Sequence, residues 1–187
     1  GGGFVVGGLE SHDDVCAEIA SEAGIQVVAV EYRLAPEHPF PAAFDDCWAV
    51  LNYLAKKHSD IIVGGDSAGG NLAAALTLKA RDAGGPRLKG QVLIYPGLGG
   101  DVTKGSYIAQ ANAPGLTTAD VLYYHHTYKS DGSTYAEPLR EMDYHGLPPA
   151  FVTTAQIDPL ADDGAEWVKR LSAAGIAAHH RPEPLLI

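Results

Sequence analysis

The chain has 187 residues, of which 46% are hydrophobic and 19% charged, a balance typical of one folded domain and not of a disordered chain. Its 13 basic against 23 acidic residues give a net charge of −10, which disfavours nucleic acid and anionic membrane surfaces as partners. No run approaches about 18 consecutive apolar residues, so no transmembrane segment is predicted. Cys16 and Cys47 lie in apolar helical patterns and are interpreted as reduced core thiols, which favours a reducing, cytoplasmic location.

Both ends of the chain resemble the interior of a longer sequence. It begins on three glycines without an initiator methionine and stops on the apolar run 185–187 without a terminating turn. We therefore expect a single domain over 1–187 that is truncated at both ends. The lack of a signal peptide in this sequence accordingly excludes no compartment.

Short apolar runs rich in β-branched residues alternate with helical patterns. These runs predict strands over 4–7, 26–32, 61–65, 90–95, 150–156 and 177–181. Most are continuously apolar and do not alternate, which favours strands buried on both faces of a parallel sheet. The order of strands and helices predicts an α/β fold with a mostly parallel sheet flanked by helices.

The cues for helix ends are a Ser-x-x-Asp capping box at Ser11, a cap at Thr117 for a helix through Tyr128, and a stop at Gly175. Other helical patterns are the apolar stripe over 44–54, the Ala- and Leu-rich segment 72–81, and the segment opened by the acidic pair at 162–163. The polar, Gly-rich stretch 97–115 predicts a long loop over one face.

The most informative motif is Gly-Asp-Ser-Ala-Gly at 65–69, which follows a predicted strand and opens a predicted helix. A nucleophile elbow requires this context, because its sharp turn projects the hydroxyl of Ser67 above the sheet. Gly65 and Gly69 lack side chains that would collide in the turn, and the backbone N–H of Ala68 is placed to bind an oxyanion. Two alternatives stay open: a serine-capped glycine turn, and a phosphate-binding loop, although no lysine follows.

Two other features fit the same chemistry. Gly1, Gly2 and Gly3 expose backbone N–H groups, and such a glycine loop complements the elbow in lipases and esterases. The alternative is a flexible end or a tag remnant. Asp158 ends a predicted strand, where ligands bind in open α/β sheets, and it follows Ser67 in the order that this fold uses. Its alternative is an Asp-Pro turn or a helix cap.

No histidine stands where a catalytic base is expected. The base should follow the strand after Asp158, but the chain ends at Ile187, and His179 and His180 are interpreted as ordinary strand residues. The other histidines fall near helix starts, in turns or on a helix: His12, His38, His58, His125, His126 and His145. No spacing suggests metal ligands, so the sequence predicts neither a metal nor an organic cofactor.

These features together resemble the bacterial hormone-sensitive-lipase family of carboxylesterases, which have the α/β-hydrolase fold. The match covers essentially the whole chain. Besides the elbow, it rests on Glu-Tyr-Arg-Leu-Ala-Pro-Glu at 31–37, Phe-Pro-Ala-Ala at 40–43, Leu-Ile-Tyr-Pro at 93–96, Gly-Leu-Pro-Pro at 146–149 and Asp-Pro-Leu at 158–160. The chain departs from the family pattern in three ways: the catalytic base is absent, the N-terminal part with most of the cap and the first two strands is absent, and the segment at 57–61 is shorter.

The resemblance implies a role for each site residue. Ser67 is the nucleophile and Asp158 the triad acid, while Gly2, Gly3 and Ala68 supply the oxyanion-hole N–H groups. A histidine is expected just before the first glycine, and the catalytic histidine immediately after the last residue of this chain. The motif at 31–37 is interpreted as structural, with a buried arginine at position 33 paired to a carboxylate.

The resemblance implies a serine carboxylesterase or lipase that hydrolyses short-chain esters through an acyl-enzyme intermediate. Its partner is then a small-molecule ester, no cofactor is needed, and a homo-oligomer is left open. Two alternatives remain. One is a non-catalytic ligand-binding protein on the same fold, as in plant gibberellin receptors, where the triad histidine is replaced. The other is an inactive, partly folded piece with exposed edge strands.

Overall fold

The computed structural model describes residues 1–184, and the predicted apolar run 185–187 lies outside the described residues. Short 3₁₀ turns occur at Gly2–Phe4, Leu9–Ser11 and Pro138–Arg140. The helices and strands follow in chain order: α1 (Asp13–Ala23), α2 (Ala42–Ala55), β1 (Ile62–Asp66), α3 (Ala68–Asp82), β2 (Gly90–Ile94), α4 (Ser106–Ala109), α5 (Thr118–Tyr128), β3 (Ala150–Ala155), α6 (Ala161–Ala173) and β4 (Ala178–Glu183).

The strands form one parallel sheet in the order β1-β2-β3-β4. Each parallel connection between neighbouring strands passes through a helix or a longer excursion, as parallel pairing requires. The predicted strands at 61–65, 90–95, 150–156 and 177–181 are thereby confirmed, with ends that differ by up to two residues. The prediction of a mostly parallel sheet flanked by helices is also confirmed.

The two faces of this sheet are covered unequally. Leu93 and Val152 are fully buried on one face, where Trp167 of α6 donates a hydrogen bond to the side chain of Gln91 (3.2 Å). On the opposite face the neighbouring Val92 and Phe151 are 36% and 37% exposed. The expectation of strands buried on both faces is therefore wrong for the residues that the structure describes.

The two predicted strands nearest the N-terminus are wrong. Gly2, Gly3 and Phe4 all have φ between +59° and +70°, so the chain makes a tight turn where the prediction placed the strand 4–7. The segment 26–32 has no regular secondary structure, and it pairs with no strand among residues 1–184. Apolar, β-branched sequence favours an extended chain, whereas a strand also needs a neighbour to pair with.

Helix ends follow the sequence cues at two of three sites. Thr117 caps α5 in a capping box with Asp120, and Gly175 (φ +77°) follows the end of α6, as predicted. The box at Ser11 is wrong, because α1 begins at Asp13 and the Ser11 hydroxyl bonds to Gly8 instead. The loop predicted over 97–115 is interrupted by the short helix α4.

The cysteine interpretation holds for one residue of the two. Both thiols are free, and Cys47 is buried in the core on α2. Cys16 is only half-buried on α1, a helix that buries none of its residues, so it is not a core thiol. Among residues 1–184, no helix combines the length and the apolar character needed to cross a membrane.

Candidate active site

Ser67 occupies a sharp turn between β1 and α3. Its φ of +51° and ψ of −115° are strained for a residue with a side chain. A Cβ on Gly65 would clash with the backbone of Gly69, and one on Gly70 would lie 2.8 Å from Pro96 Cβ. The prediction that Gly69 must also lack a side chain is wrong, since a Cβ there would meet nothing closer than 3.4 Å.

Backbone hydrogen bonds fix the position of this serine. Its N–H donates to the carbonyl of Ile94 on β2 (2.9 Å), and its own carbonyl accepts from Asn71 N–H (3.1 Å) in the first turn of α3. The Ser67 hydroxyl, by contrast, has no hydrogen-bond partner within residues 1–184, and the residue is half-buried. The turn therefore presents an unengaged hydroxyl from a rigid backbone.

Asp158 lies beyond the carboxyl end of β3, at the same edge of the sheet. It is 7% exposed, and its Oδ1 accepts a hydrogen bond from Leu160 N–H (2.8 Å). Burial raises the pKa of Asp158, and the Leu160 bond opposes that rise. Tyr95, which follows β2, lies near both Asp66 and Asp158, and burial together with these two carboxylates raises the pKa of its phenol. The elbow and the acid thus share one edge.

A second carboxylate, Asp163, holds the loop beside this acid. Its Oδ2 accepts from Leu98 N–H (2.7 Å), Gly100 N–H (3.2 Å) and the Tyr107 hydroxyl (3.0 Å). Burial raises the pKa of Asp163 to about 6. Sequence reasoning assigned this residue only to the start of a helix. The sequence offered one signal for a further role: two acidic residues, Asp162 and Asp163, closely follow the candidate acid, although one carboxylate is enough to stabilise a helix N-terminus.

The glycine turn Gly2–Phe4 adjoins the elbow. A Cβ on Gly3 would overlap the Tyr124 ring of α5, and the Phe4 ring stacks on Tyr128 with centroids 3.8 Å apart. No described residue accepts a hydrogen bond from the backbone N–H groups of Gly2, Gly3 or Ala68. The structure therefore leaves all three predicted oxyanion donors unpaired.

Other predicted residues have structural surroundings. His180 Nε2 lies 2.9 Å from Thr154 Oγ1 within the sheet, which agrees with its interpretation as a strand residue. The Arg33 side chain donates three hydrogen bonds to Asp46, of 2.8, 2.9 and 3.2 Å, as predicted. Its side chain is half-exposed (50%), so the prediction that this pair is buried is wrong.

The part of the chain that the structure describes contains no histidine hydrogen-bonded to Ser67 or to Asp158. It also contains no cluster of three or more His, Cys, Asp or Glu side chains arranged to hold a metal ion. The chemistry available at this edge is thus a free hydroxyl, free backbone N–H donors and a buried carboxylate. That set suits acyl transfer once a proton acceptor is present.

Comparison with known proteins agrees with this arrangement. A family model described as the α/β-hydrolase fold matches residues 1–184. The carboxylesterase NlhH of Mycobacterium tuberculosis is 41% identical over an alignment that spans 100% of this chain and 63% of that protein. The ethyl acetate hydrolase of Pseudomonas putida is 33% identical over 95% of this chain and 59% of its own length.

Solved structures agree as well. The esterase of the archaeon Pyrobaculum calidifontis superposes with a TM-score of 0.94 at 39% identity, over 100% of this chain and 66% of that one. A bacterial heroin esterase gives a TM-score of 0.93 at 38% identity, over 97% and 62%. The chain spans about three fifths of the length of the curated relatives. It belongs to the α/β-hydrolase family, in the hormone-sensitive-lipase branch that its motifs predicted.

Proposed function

We propose that this chain carries the nucleophile, acid and oxyanion hole of a serine carboxylesterase. The observation that carries the proposal is the backbone of Ser67, held at φ +51° between β1 and α3 with its hydroxyl unbonded and the Ala68 N–H unpaired beside it. Strain of this kind persists only where surrounding contacts enforce it, and it is typical of reactive residues.

In this proposal Ser67 Oγ attacks the carbonyl carbon of an ester, and the carbonyl oxygen gains the negative charge. The N–H groups of Gly2, Gly3 and Ala68 stabilise that oxyanion, which is the part of catalysis where preorganised donors contribute most. The alcohol leaves, an acyl group remains on Ser67, and water then releases the acid. The N-terminus of α3 points partial positive charge towards the same place.

The proton of Ser67 needs an acceptor that Asp158 orients. Asp158 is buried and has one carboxylate oxygen engaged by the Leu160 N–H, which leaves the other for an imidazole. We assign the base to a histidine that follows Ile187 in the complete reading frame, as the family resemblance implies. NlhH is named a carboxylesterase, which supports carboxylic esters as substrates, and the name of the ethyl acetate hydrolase supports short-chain esters among them.

The test is hydrolysis of p-nitrophenyl butyrate by the protein expressed from its complete reading frame. We expect Ser67→Ala to lower kcat by at least about 10⁴-fold, and Asp158→Asn by about 10³- to 10⁴-fold, because the base then loses its orientation. Asp143→Asn is the matched control, since Asp143 is exposed (69%) in the segment that leads into the amino end of β3, away from the site.

The outcomes distinguish a serine esterase from a ligand-binding protein on the same fold. Turnover that depends on Ser67 and Asp158 but not on Asp143 supports the esterase. Turnover that survives Ser67→Ala contradicts the assignment of the nucleophile. A folded protein without Ser67-dependent turnover, which still binds an ester or carboxylic acid, would instead indicate a ligand-binding protein.

A further inference from the structure

Asp66, the residue just before the candidate nucleophile, directs its carboxylate towards Gly1 and His12. Its Oδ1 lies 3.1 Å from Nε2 of His12, and its Oδ2 lies so close to Gly1 that it leaves no room for a Cβ on that glycine. Gly1 is separated from Asp66 by 65 positions, and His12 by 54, so this carboxylate joins the N-terminal segment to the end of β1.

Gly1 is held from both sides. The carboxylate of Asp66 lies against its Cα on one side, and its carbonyl accepts a hydrogen bond from the Tyr32 hydroxyl (3.0 Å) on the other. A Cβ on Gly1 would clash with the other carboxylate oxygen of Asp66, so only glycine allows this approach. The position of Gly1 sets where Gly2 and Gly3 begin, and these are the residues whose N–H groups are left free.

His12 completes the arrangement from the far side of Asp66. Its Nδ1 lies 2.8 Å from Ser11 Oγ, and the single proton of that hydroxyl is donated to the carbonyl of Gly8 (2.7 Å). The carboxylate of Asp66 can only accept in its contact with Nε2. The His12 ring therefore links Asp66 to the Ser11–Gly8 turn.

We propose that Asp66, together with His12, is a positioning residue for the oxyanion hole. It fixes the glycine turn at the distance from the elbow at which the N–H groups of Gly2, Gly3 and Ala68 converge on one oxygen. Asp66 suits this task because its backbone is the last residue of β1 and is already rigid. The inference rests on the proposed function, since it assigns a role within that site.

The inference predicts a loss specific to the transition state. We expect Asp66→Asn, in the complete reading frame, to lower kcat for p-nitrophenyl butyrate by about 10- to 100-fold, because donors displaced by about 1 Å lose most of their effect. KM is expected to change less than about twofold, since the hole acts on charge that develops after binding. His12→Gln is expected to cause a smaller loss, of roughly fivefold or more.

Three measurements separate positioning from general damage. Rates are normalised to the number of sites labelled at Ser67 by a fluorophosphonate, which removes any change in the folded fraction. A trifluoromethyl ketone, which forms a tetrahedral adduct with the serine, is expected to bind more weakly by the same factor as kcat falls. The double variant Asp66→Asn/His12→Gln is expected to be no worse than Asp66→Asn alone, because both changes break one contact.

The matched control is the exposed pair of His145 and Asp143, whose Nδ1–Oδ1 distance is 2.7 Å. His145→Gln removes a histidine–aspartate contact away from the site and is expected to leave kcat unchanged. If Asp66→Asn keeps normalised kcat and inhibitor affinity within about twofold of the parent, the inference is overturned while the proposed function stands. If turnover does not depend on Ser67 at all, both are overturned.

Discussion

The elbow at Ser67 and the glycine turn Gly2–Phe4 meet at one edge of the sheet, but different kinds of contact hold them. The elbow is fixed by the backbone, through the β1–β2 pairing and the first turn of α3. The glycine turn has backbone bonds at its Phe4 end, including Ala35 N–H to the Phe4 carbonyl (2.9 Å), but its Gly1 end is held by the side chains of Asp66 and Tyr32. A rigid nucleophile is thus paired with an oxyanion loop whose position depends on a few individual residues.

The largest effect is expected from adding one methyl group to the elbow. In Gly65→Ala the new Cβ would clash with the backbone of Gly69, which cannot move without displacing α3. We expect a loss of about 3 kcal/mol in the free energy of unfolding, measured by urea denaturation. Gly69→Ala is the control, because its Cβ meets nothing closer than 3.4 Å, and a change within about 0.5 kcal/mol is expected. Equal losses in the two variants would contradict the tight turn.

The glycine turn is expected to lose activity more than stability. Gly3 (φ +59°) and Gly24 (φ +62°) share a left-handed backbone, but only a Cβ on Gly3 would overlap a neighbour, the Tyr124 ring. Gly24→Ala is expected to cost about 1–2 kcal/mol of stability, and Gly3→Ala more, because the Tyr124 ring must also move. In addition to this loss of stability, Gly3→Ala is expected to lower kcat by about 100-fold, because the oxyanion donors move. A matching loss of kcat in Gly24→Ala would show that the effect is not local.

Asp163 offers a pH test of the acid side of the site. Burial raises its pKa to about 6, so the folded state binds its proton more tightly than the unfolded state does. The stabilisation is therefore present below the unfolded pKa, near 4, and is lost as pH rises through about 6. Between pH 4 and 7 the parent should lose about 2 kcal/mol relative to Asp163→Asn, measured by denaturation at each pH. A constant difference between the two proteins would contradict this.

The smallest effects are expected from substitutions at the two predicted helix caps. Thr117 accepts a hydrogen bond from Asp120 N–H (3.1 Å), so Thr117→Ala is expected to cost about 1 kcal/mol. Ser11 does not cap α1, and Ser11→Ala is expected to change stability by less than about 0.5 kcal/mol. Thermal denaturation of the two variants checks the difference, and a larger loss for Ser11→Ala would reverse it.

The same contrast explains what the sequence could predict. The strand, turn and helix around Ser67 are local in sequence, and each is specified by apolar pattern, glycine spacing and helix propensity. The segments 4–7 and 26–32 carry equally good strand patterns, but strand formation depends on a neighbour that no local pattern encodes. The exposure of Val92 and Phe151 likewise depends on which elements pack against the sheet, and their own strand sequences do not specify this.

Site residues divide in a similar way. Ser67 and Asp158 were found because a motif and a strand end mark them, although their catalytic roles stay predictions. Asp66, His12 and Asp163 act through contacts over more than fifty positions, and sequence reasoning gave none of them a role at the site. A carboxylate inside a recognised motif was the available signal for Asp66.

The most direct test of the proposed function is to identify the residue that becomes acylated. The protein from the complete reading frame is mixed with p-nitrophenyl butyrate, quenched in acid within milliseconds, and digested for mass spectrometry. We expect a burst of p-nitrophenol and a butyryl group on the peptide that contains Ser67, both absent in Ser67→Ala. A butyryl group on another residue, or a burst that Ser67→Ala retains, would contradict the account.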